Sequence, residues 1–338
     1  MRKYTFLYAI TQLLLAGLLA ACTTPSDNSK QSDEALAMNT ETSYPVVDAA
    51  VVLPAGALLG EGAYWYGQQQ KLWWIDIEKG KLHVFNPSDS SLQTYDMGRR
   101  IGTVVPDKTG NAVVALQDGI FRYNIEKQTF SLLAAPEKDK PDNRFNDGKC
   151  DPQGRLWAGT MAINASGRHG ALYCLEADGK ITKKIDSVGI SNGIVWTADA
   201  SRMYYIDTPT GEVRAYDYNA ATADIQFNRV AVSIPQSMGH PDGMAIDSEG
   251  MIWVALWEGS GVMRYNPATG QPLMKVHTPG AWRVTSCTFG GEQLDELYIT
   301  TASIGLTEDQ KKQYPNSGHL FKIKLATVKG VPMPVFAY

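Results

Sequence analysis

The chain has 338 residues, 44% of them hydrophobic and 20% charged, a balance that fits a globular protein with a full core in one large or two ordinary domains. Its net charge is −4, there is no long basic run, and the aromatic residues are not interleaved with Lys and Arg. That pattern argues against nucleic acid as a partner.

Residues 1–21 read as a targeting signal outside the fold. Arg2 and Lys3 supply a positive start, and the mainly apolar run Leu7–Leu19 is too short to span a membrane comfortably. It ends in Leu19-Ala20-Ala21-Cys22, which resembles a bacterial lipobox with Cys22 as the lipidated residue; an ordinary secretory peptide cut after Ala21 is the alternative. Cleavage there removes two cations and no acid, so the mature charge becomes −6. Residues 22–45, rich in Ser, Thr, Asn, Gln and Asp, read as a flexible tether. Thr23, not Asp, follows the cysteine. The expectation is a lipoprotein on the periplasmic side of a bacterial membrane, in a Gram-negative cell the outer membrane, touching lipid only through its anchor.

Residues 46–338 read as one domain. Helical periodicity is scarce from Val51 onward, and short runs of β-branched and aromatic residues alternate with Gly, Asp, Asn and Pro clusters. The runs repeat as pairs of strands. They are Lys71–Asp76 with Gly80–Pro87, Asp107–Ala115 with Gly119–Asn124, Asp151–Gly159 with Gly170–Tyr173, Asp199–Asp207 with Gly211–Asp217, the run from Asp247 with Gly261–Pro267, and Leu297–Thr301 with Gly318–Ile323. Asp107, Asp151, Asp199 and Asp247 are 44, 48 and 48 residues apart. Periods of about 40–50 residues with a hairpin in each are the mark of a β-propeller. Six units predict an all-β, six-bladed propeller, with Val46–Leu53 supplying a strand to the last blade and closing the ring. Cys150, Cys174 and Cys287, the cysteines left after Cys22, form neither a disulfide framework nor a zinc spacing. They are expected as buried free thiols, with a Cys150–Cys174 bridge the alternative.

Four segments place polar groups beside Gly at a matching phase of the repeat, and they are expected as loops entering the inner strands around a central channel. They are Leu59-Gly60-Glu61-Gly62, Asn143–Lys149, Ser191-Asn192-Gly193-Ile194 and Pro241-Asp242-Gly243-Met244. A single Asp-Gly or Asn-Gly is an ordinary turn; four at one phase predict convergence on a site. The donors at the centre are two carboxylates and two amides, which suit one hard divalent cation: calcium first, with magnesium, manganese or zinc as alternatives. No His-Glu-x-x-His or phosphate loop is present. His240 and Trp257 border the site segments, with His240 read as a rim or packing residue and Trp257 as a candidate pocket wall. The Trp and Tyr residues of the repeats are expected in blade cores.

These segments, with Asp151-Pro152-x-Gly154-Arg155, Trp157-x-Gly159-Thr160-Met161, Gly170-Ala171-Leu172-Tyr173 and Thr285-Ser286-Cys287-x-Phe289-Gly290-Gly291, resemble the regucalcin (senescence marker protein-30)/gluconolactonase family over about residues 50–325. The resemblance implies a six-bladed propeller with an axial divalent metal that hydrolyses sugar lactones. It implies Glu61, Asn192 and Asp242 as metal ligands, Asp242 also as general base, and Arg144 and Asn146 as holders of substrate oxygens. One departure stands out: Thr160-Met161 is followed by Ala162-Ile163-Asn164, where relatives closest in this motif carry a carboxylate. Asn164 and Arg168 are therefore either sugar contacts or solvent-facing loop residues. The expected partner is a sugar lactone, and the expected state a monomer or weak dimer. The alternatives are another propeller hydrolase acting on organophosphates or aryl esters, and a non-catalytic calcium-binding propeller.

Overall fold

The structure, a computed structural model, describes residues 44–337. The signal segment, Cys22 and nearly all of the tether lie outside the described residues. Six sheets make up the fold, each running outward along the chain from an inner strand, with an N-terminal strand added at the outer edge of the last two. The inner strands are Gly60–Tyr66, Ile101–Pro106, Asn143–Cys150, Ser191–Trp196, His240–Ile246 and Arg283–Gly290, for blades one to six. Each packs against the inner strand of the next blade, and the sixth returns to the first. The ring is therefore closed around an axial channel, as the six repeats predict.

Closure uses the N-terminal stretch in two ways. Ala50–Leu53 pairs antiparallel with Leu320–Lys324 and is the outermost strand of blade six, with Val51 opposite Phe321. Val46–Asp48 goes elsewhere: it adds a fifth, parallel strand to the edge of blade five, with Val46 opposite Lys275. The expectation of one closing strand over Val46–Leu53 thus holds for its second half, and its first half covers a neighbouring edge that would otherwise leave backbone groups unpaired.

The repeated aspartates hold turns. Asp107, Asp151 and Asp247 each accept two backbone N–H groups on Oδ1, from Thr109 and Asn111, Gln153 and Arg155, and Glu249 and Met251. On Oδ2 each takes an arginine, Arg122, Arg155 or Arg264, at 2.6–2.8 Å. These buried carboxylates are thus fully paired, which makes their burial tolerable. Asp199 breaks the pattern. It is exposed, and the equivalent place at the end of the inner strand of blade four belongs to Thr197, whose N–H bonds Arg202 O at 3.0 Å. The regular spacing read through Asp199 was a near coincidence of two residues.

Blade faces meet through aromatic side chains, as expected for the repeat Trp and Tyr residues. Trp65 stacks on Tyr298 across the closing seam at 5.5 Å, Trp157 meets Trp196 edge-on at 5.7 Å, and Trp253 meets Phe289 at 5.4 Å. Such pairs add about 0.5–1.5 kcal/mol each beyond the area they bury. Cys150, Cys174 and Cys287 are buried free thiols. After Lys324 the chain crosses the far end of the channel as a strap. It is fixed by Gly330 N–H to Leu294 O at 2.7 Å, Tyr64 Oη–H to Pro334 O at 2.9 Å, Phe336 N–H to Pro106 O at 2.9 Å and Ala337 N–H to Gly154 O at 2.9 Å. These bonds tie the strap to blades six, one, two and three.

Candidate active site

Every inner strand loses its register with the second strand near its start. The slips fall between Glu61 and Tyr64, Ile101 and Thr103, Phe145 and Gly148, Asn192 and Ile194, Pro241 and Met244, and Val284 and Ser286. The four segments expected as loops are therefore the bulged first halves of inner strands. A bulge frees one or two residues from the ladder and re-aims their side chains. Glycine permits it here: a Cβ on Gly193 would lie 2.7 Å from Asp242 O, and one on Gly243 would lie 2.7 Å from Ser286 Oγ. Adjacent inner strands approach too closely at the bulges for any side chain.

The structure brings Glu61, Arg144, Asn146, Asn192 and Asp242 together, each buried at 4–7% exposure. Arg144 donates to Asn146 Oδ1 at 2.6 Å and to its neighbour's carbonyl, Phe145 O, at 2.9 Å. Asn146 Nδ2 donates across the blade boundary to Ser191 O at 2.8 Å and approaches Asn192 Oδ1 at 3.4 Å. Asn192 Nδ2 donates to Thr208 Oγ1 at 2.9 Å, and Thr208 donates to Pro241 O at 2.8 Å. Polar contacts thus run from blade three through blade four to the strand that carries Asp242.

The electrostatics are those of acids short of counter-charge. Burial pushes the Glu61 carboxyl up to about 8, and the nearby Asp147 charge adds to it, against the opposing Gly62 N–H, Arg144 and Lys149. Asp242 is raised well above the ordinary carboxylate range, first by burial and then by Glu61 and Asp147. One of its oxygens, Oδ1, is buried with no hydrogen-bond partner. Burial pulls the Arg144 guanidinium down to about 10, so it remains charged at neutral pH. An orphaned carboxylate oxygen beside a second buried carboxylate and an amide oxygen is a donor set suited to a hard cation. Among the described residues no three His, Cys, Asp or Glu side chains are gathered into a metal site of their own. The Asn192 amide lies beside the two carboxylates as a further oxygen donor.

Other expected residues fall outside this cluster. Asn164 is exposed and caps its own loop by accepting from Ser166 N–H at 3.1 Å. Arg168 pairs with Asp207 of blade four at 3.1 Å. Both line a groove of about 740 Å³ on blade three together with Asn143 and His169. His240 sits half-buried opposite Trp257 in the ladder, and Arg283 lies 4.8 Å over the Trp257 ring. Four charged groups near the cluster were not singled out by sequence: Asp147, Lys149, Glu78 and Arg100. Asp147 and Lys149 lie inside a quoted motif, but their burial is a tertiary fact. Glu78 and Arg100 come from successive blades and pair at 2.9 Å, and their charges act on Arg144.

Comparison with known proteins gives the family. Residues 59–303 match the SMP-30/Gluconolactonase/LRE-like region. The chain is 35% identical over 288 residues to "Putative sugar lactone lactonase YvrE" of Bacillus subtilis (strain 168), covering 85% of this chain and 98% of that protein. It is 38% identical over 284 residues to regucalcin of Xenopus laevis, covering 82% and 95%. A solved structure of regucalcin from Agrobacterium tumefaciens, described as a calcium-binding protein, superposes with a TM-score of 0.82 at 27% identity, covering 87% of this chain and 99% of that one. A luciferin-regenerating enzyme superposes with a TM-score of 0.79 at 31% identity, covering 86% and 99%. With its bulged ring of acids and amides on a six-bladed propeller, the chain belongs to the SMP-30/gluconolactonase/LRE-like family.

Proposed function

We propose that this protein hydrolyses a sugar lactone to the corresponding aldonic acid with the help of one divalent cation. The observation that carries the reading is the buried set Glu61, Asn192 and Asp242 with the Arg144–Asn146 pair beside it. Glu61, Asn192 and Asp242 would hold the cation, and the raised carboxyls and the unpartnered Asp242 Oδ1 are what such an ion would satisfy. When bound, it supplies Lewis-acid polarisation of the lactone carbonyl and charge for the developing oxyanion. Calcium is the first candidate, since the donors are all oxygen and a structural relative is described as calcium-binding. Magnesium, manganese and zinc are the others.

The chain's own groups do the rest. Asp242 takes a proton from the attacking water as the water oxygen bonds to the carbonyl carbon. The ring C–O bond then breaks, the proton passes to the leaving ring oxygen, and a hydroxy acid results. Arg144, held by Asn146, binds substrate oxygens and the new carboxylate through a planar fork of donors. Relatives named for sugar lactone hydrolysis support the substrate class.

The test is acid release from a panel of aldonolactones by residues 23–338, after chelation and after adding back Ca²⁺, Mn²⁺, Mg²⁺ or Zn²⁺. Turnover of a lactone restored by a divalent ion is expected. Turnover confined to paraoxon or aryl acetates would move the reaction to another ester class. Metal-dependent stability with no turnover on any substrate would make the protein a binding propeller. The same reading keeps the enzyme at the periplasmic face of a bacterial membrane through lipid on Cys22. A Cys22→Ala chain that still fractionates with membranes would defeat the anchor.

A further inference from the structure

The mouth of the channel carries a tryptophan that the chemistry above does not use. Of the chain's eight tryptophans, Trp157, Trp253 and Trp282 donate their indole N–H to Asp151, Asp247 and Glu258 O at 2.9–3.0 Å. The N–H groups of Trp65, Trp73, Trp74 and Trp196 are sealed in the interior without a partner. Trp257 belongs to neither set. It is half-buried, and among the described residues its N–H is neither bonded nor sealed from solvent. Its place is close to the acids. Trp257 ends the second strand of blade five, Ile252–Trp257, opposite His240, and Pro241 pairs with Leu256. Asp242 follows His240 by two residues along the inner strand, about 7 Å.

The ring is held in a stack on the rim. Arg283 lies 4.8 Å over the Trp257 ring and 5.1 Å over Trp282, and Trp282 stacks on Tyr314 at 5.6 Å. Arg283 is fixed in turn by Glu258 at 2.9 Å and by Ile304 O. Ile304 N–H donates to Leu58 O at 2.9 Å, which ties this layer to the entry of blade one. Trp257 and Ile304 pack against the core that holds Leu59 and Ile101. Blades five, six and one thus give the mouth an aromatic and aliphatic wall with an open donor. Arg144 and Asn146 stand on blade three, opposite blade six in a closed ring of six. Small-molecule sites are built in this way, from apolar walls and a few placed polar groups, and an indole supplies both an apolar body and a polar tip. We propose that Trp257 is the specificity residue of the site: its ring covers one side of a polyhydroxylated lactone, and its N–H donates to a hydroxyl on the side remote from Arg144. This rests on the lactone reading above. Arg283 is a positioning residue, its guanidinium engaged by Glu258, the Ile304 carbonyl and two aromatic faces.

The experiment compares wild type, Trp257→Phe and Trp257→Leu in saturating Ca²⁺. The substrates are the aldonolactone turned over fastest and the hydroxyl-free lactone of the same ring size, δ-valerolactone or γ-butyrolactone. Trp257→Phe keeps the wall and loses the donor. It should lower kcat/KM for the aldonolactone about three- to tenfold, chiefly through KM, and leave the hydroxyl-free lactone within about twofold, because a site that hydrogen-bonds a hydroxyl discriminates against an analogue lacking it. Trp257→Leu loses wall and donor and should lower both substrates. Equal losses on the two substrates in Trp257→Phe, or no loss on either, make Trp257 a structural residue and overturn the inference. Calorimetric titration with D-gluconate separates this inference from the lactone reading. If no lactone is turned over, but wild type binds gluconate and Trp257→Phe binds it about three- to tenfold more weakly, the reaction falls and the polyol contact stands. Equal gluconate affinity in the two proteins overturns the contact. A wild type with neither turnover nor gluconate binding overturns both.

Discussion

The two ends of the channel are built from the same six strands and carry opposite kinds of side chain. At the mouth the strands are bulged, and Glu61, Asn146, Asn192 and Asp242 meet there, buried, with Asp242 Oδ1 left without a partner. At the far end the ladders are regular, and Val195, Trp196, Ala245 and Phe289 meet the strap residues Val331, Pro332 and Met333. The difference shows a division of labour along each strand. Regular pairing and apolar contact at one end hold the ring closed. That leaves the other end able to keep unpaired carboxylates, an arrangement that destabilises the cation-free fold and suits a site. Blades two and six mark the limit of the pattern, for their bulges carry Ile101 and Thr285 and add no charge.

Substitutions at the two ends should separate activity from stability. The largest effect is expected for Asp242→Ala, which removes the proposed proton acceptor and should cut kcat by about 10²–10⁴-fold. The melting temperature of the cation-free protein should hold or rise, because the lost carboxylate is one that burial disfavours. Near-wild-type turnover would rule out the mechanism. At the far end, Phe289→Ala should cost roughly 3–5 kcal/mol in urea unfolding by leaving a void against Trp253, with kcat per folded molecule unchanged. A fall in kcat without loss of stability would mean that the two ends are not separate. Arg144→Ala should lower kcat/KM by roughly ten- to a hundredfold, the worth of a hydrogen bond to a charged group, and chiefly through KM. An effect confined to kcat would place the arginine in the chemical step instead.

The smallest effect sharpens the comparison through pH. The folded cation-free protein holds the Glu61 proton up to about pH 8, whereas the unfolded chain releases it near 4.5. Between those values the folded state binds more protons, so stability falls as pH rises through that window. Asp242 is shifted in the same direction and steepens the fall. Unfolding midpoints in chelator should therefore decline from pH 5 to pH 8, and saturating Ca²⁺ should flatten the decline. A flat profile in chelator would mean that the acids are not buried as a group.

Much of the site was legible before the fold was known, because a repeat protein prints the same position several times. Glu61, Asn192 and Asp242 stand beside glycine at one phase of the repeat, and the glycines are there for close strand approach. What the repeat could not show is whether those positions are loops or strands. A bulge interrupts alternation, so in the sequence a bulged strand reads as a connection. Asp147 and Lys149 were hidden for another reason. Their importance lies in burial and in a contact 95 residues distant, Lys149 to Met244.

By itself the sequence determined the blade count, the order of the blades and the identity of the acids and amides at the mouth, since local patterning and repeat phase are properties of neighbours along the chain. Only the tertiary structure decided how the ring closes, with Ala50–Leu53 on blade six and Val46–Asp48 on blade five. It alone put Thr197 where Asp199 was expected, laid the strap across the far end and set the Lys149 ammonium across the channel. Those features depend on which distant strands share an edge or an axis. The physical reason is that pairing and burial act between surfaces brought together by closure, and closure leaves no local signature in the residues it joins.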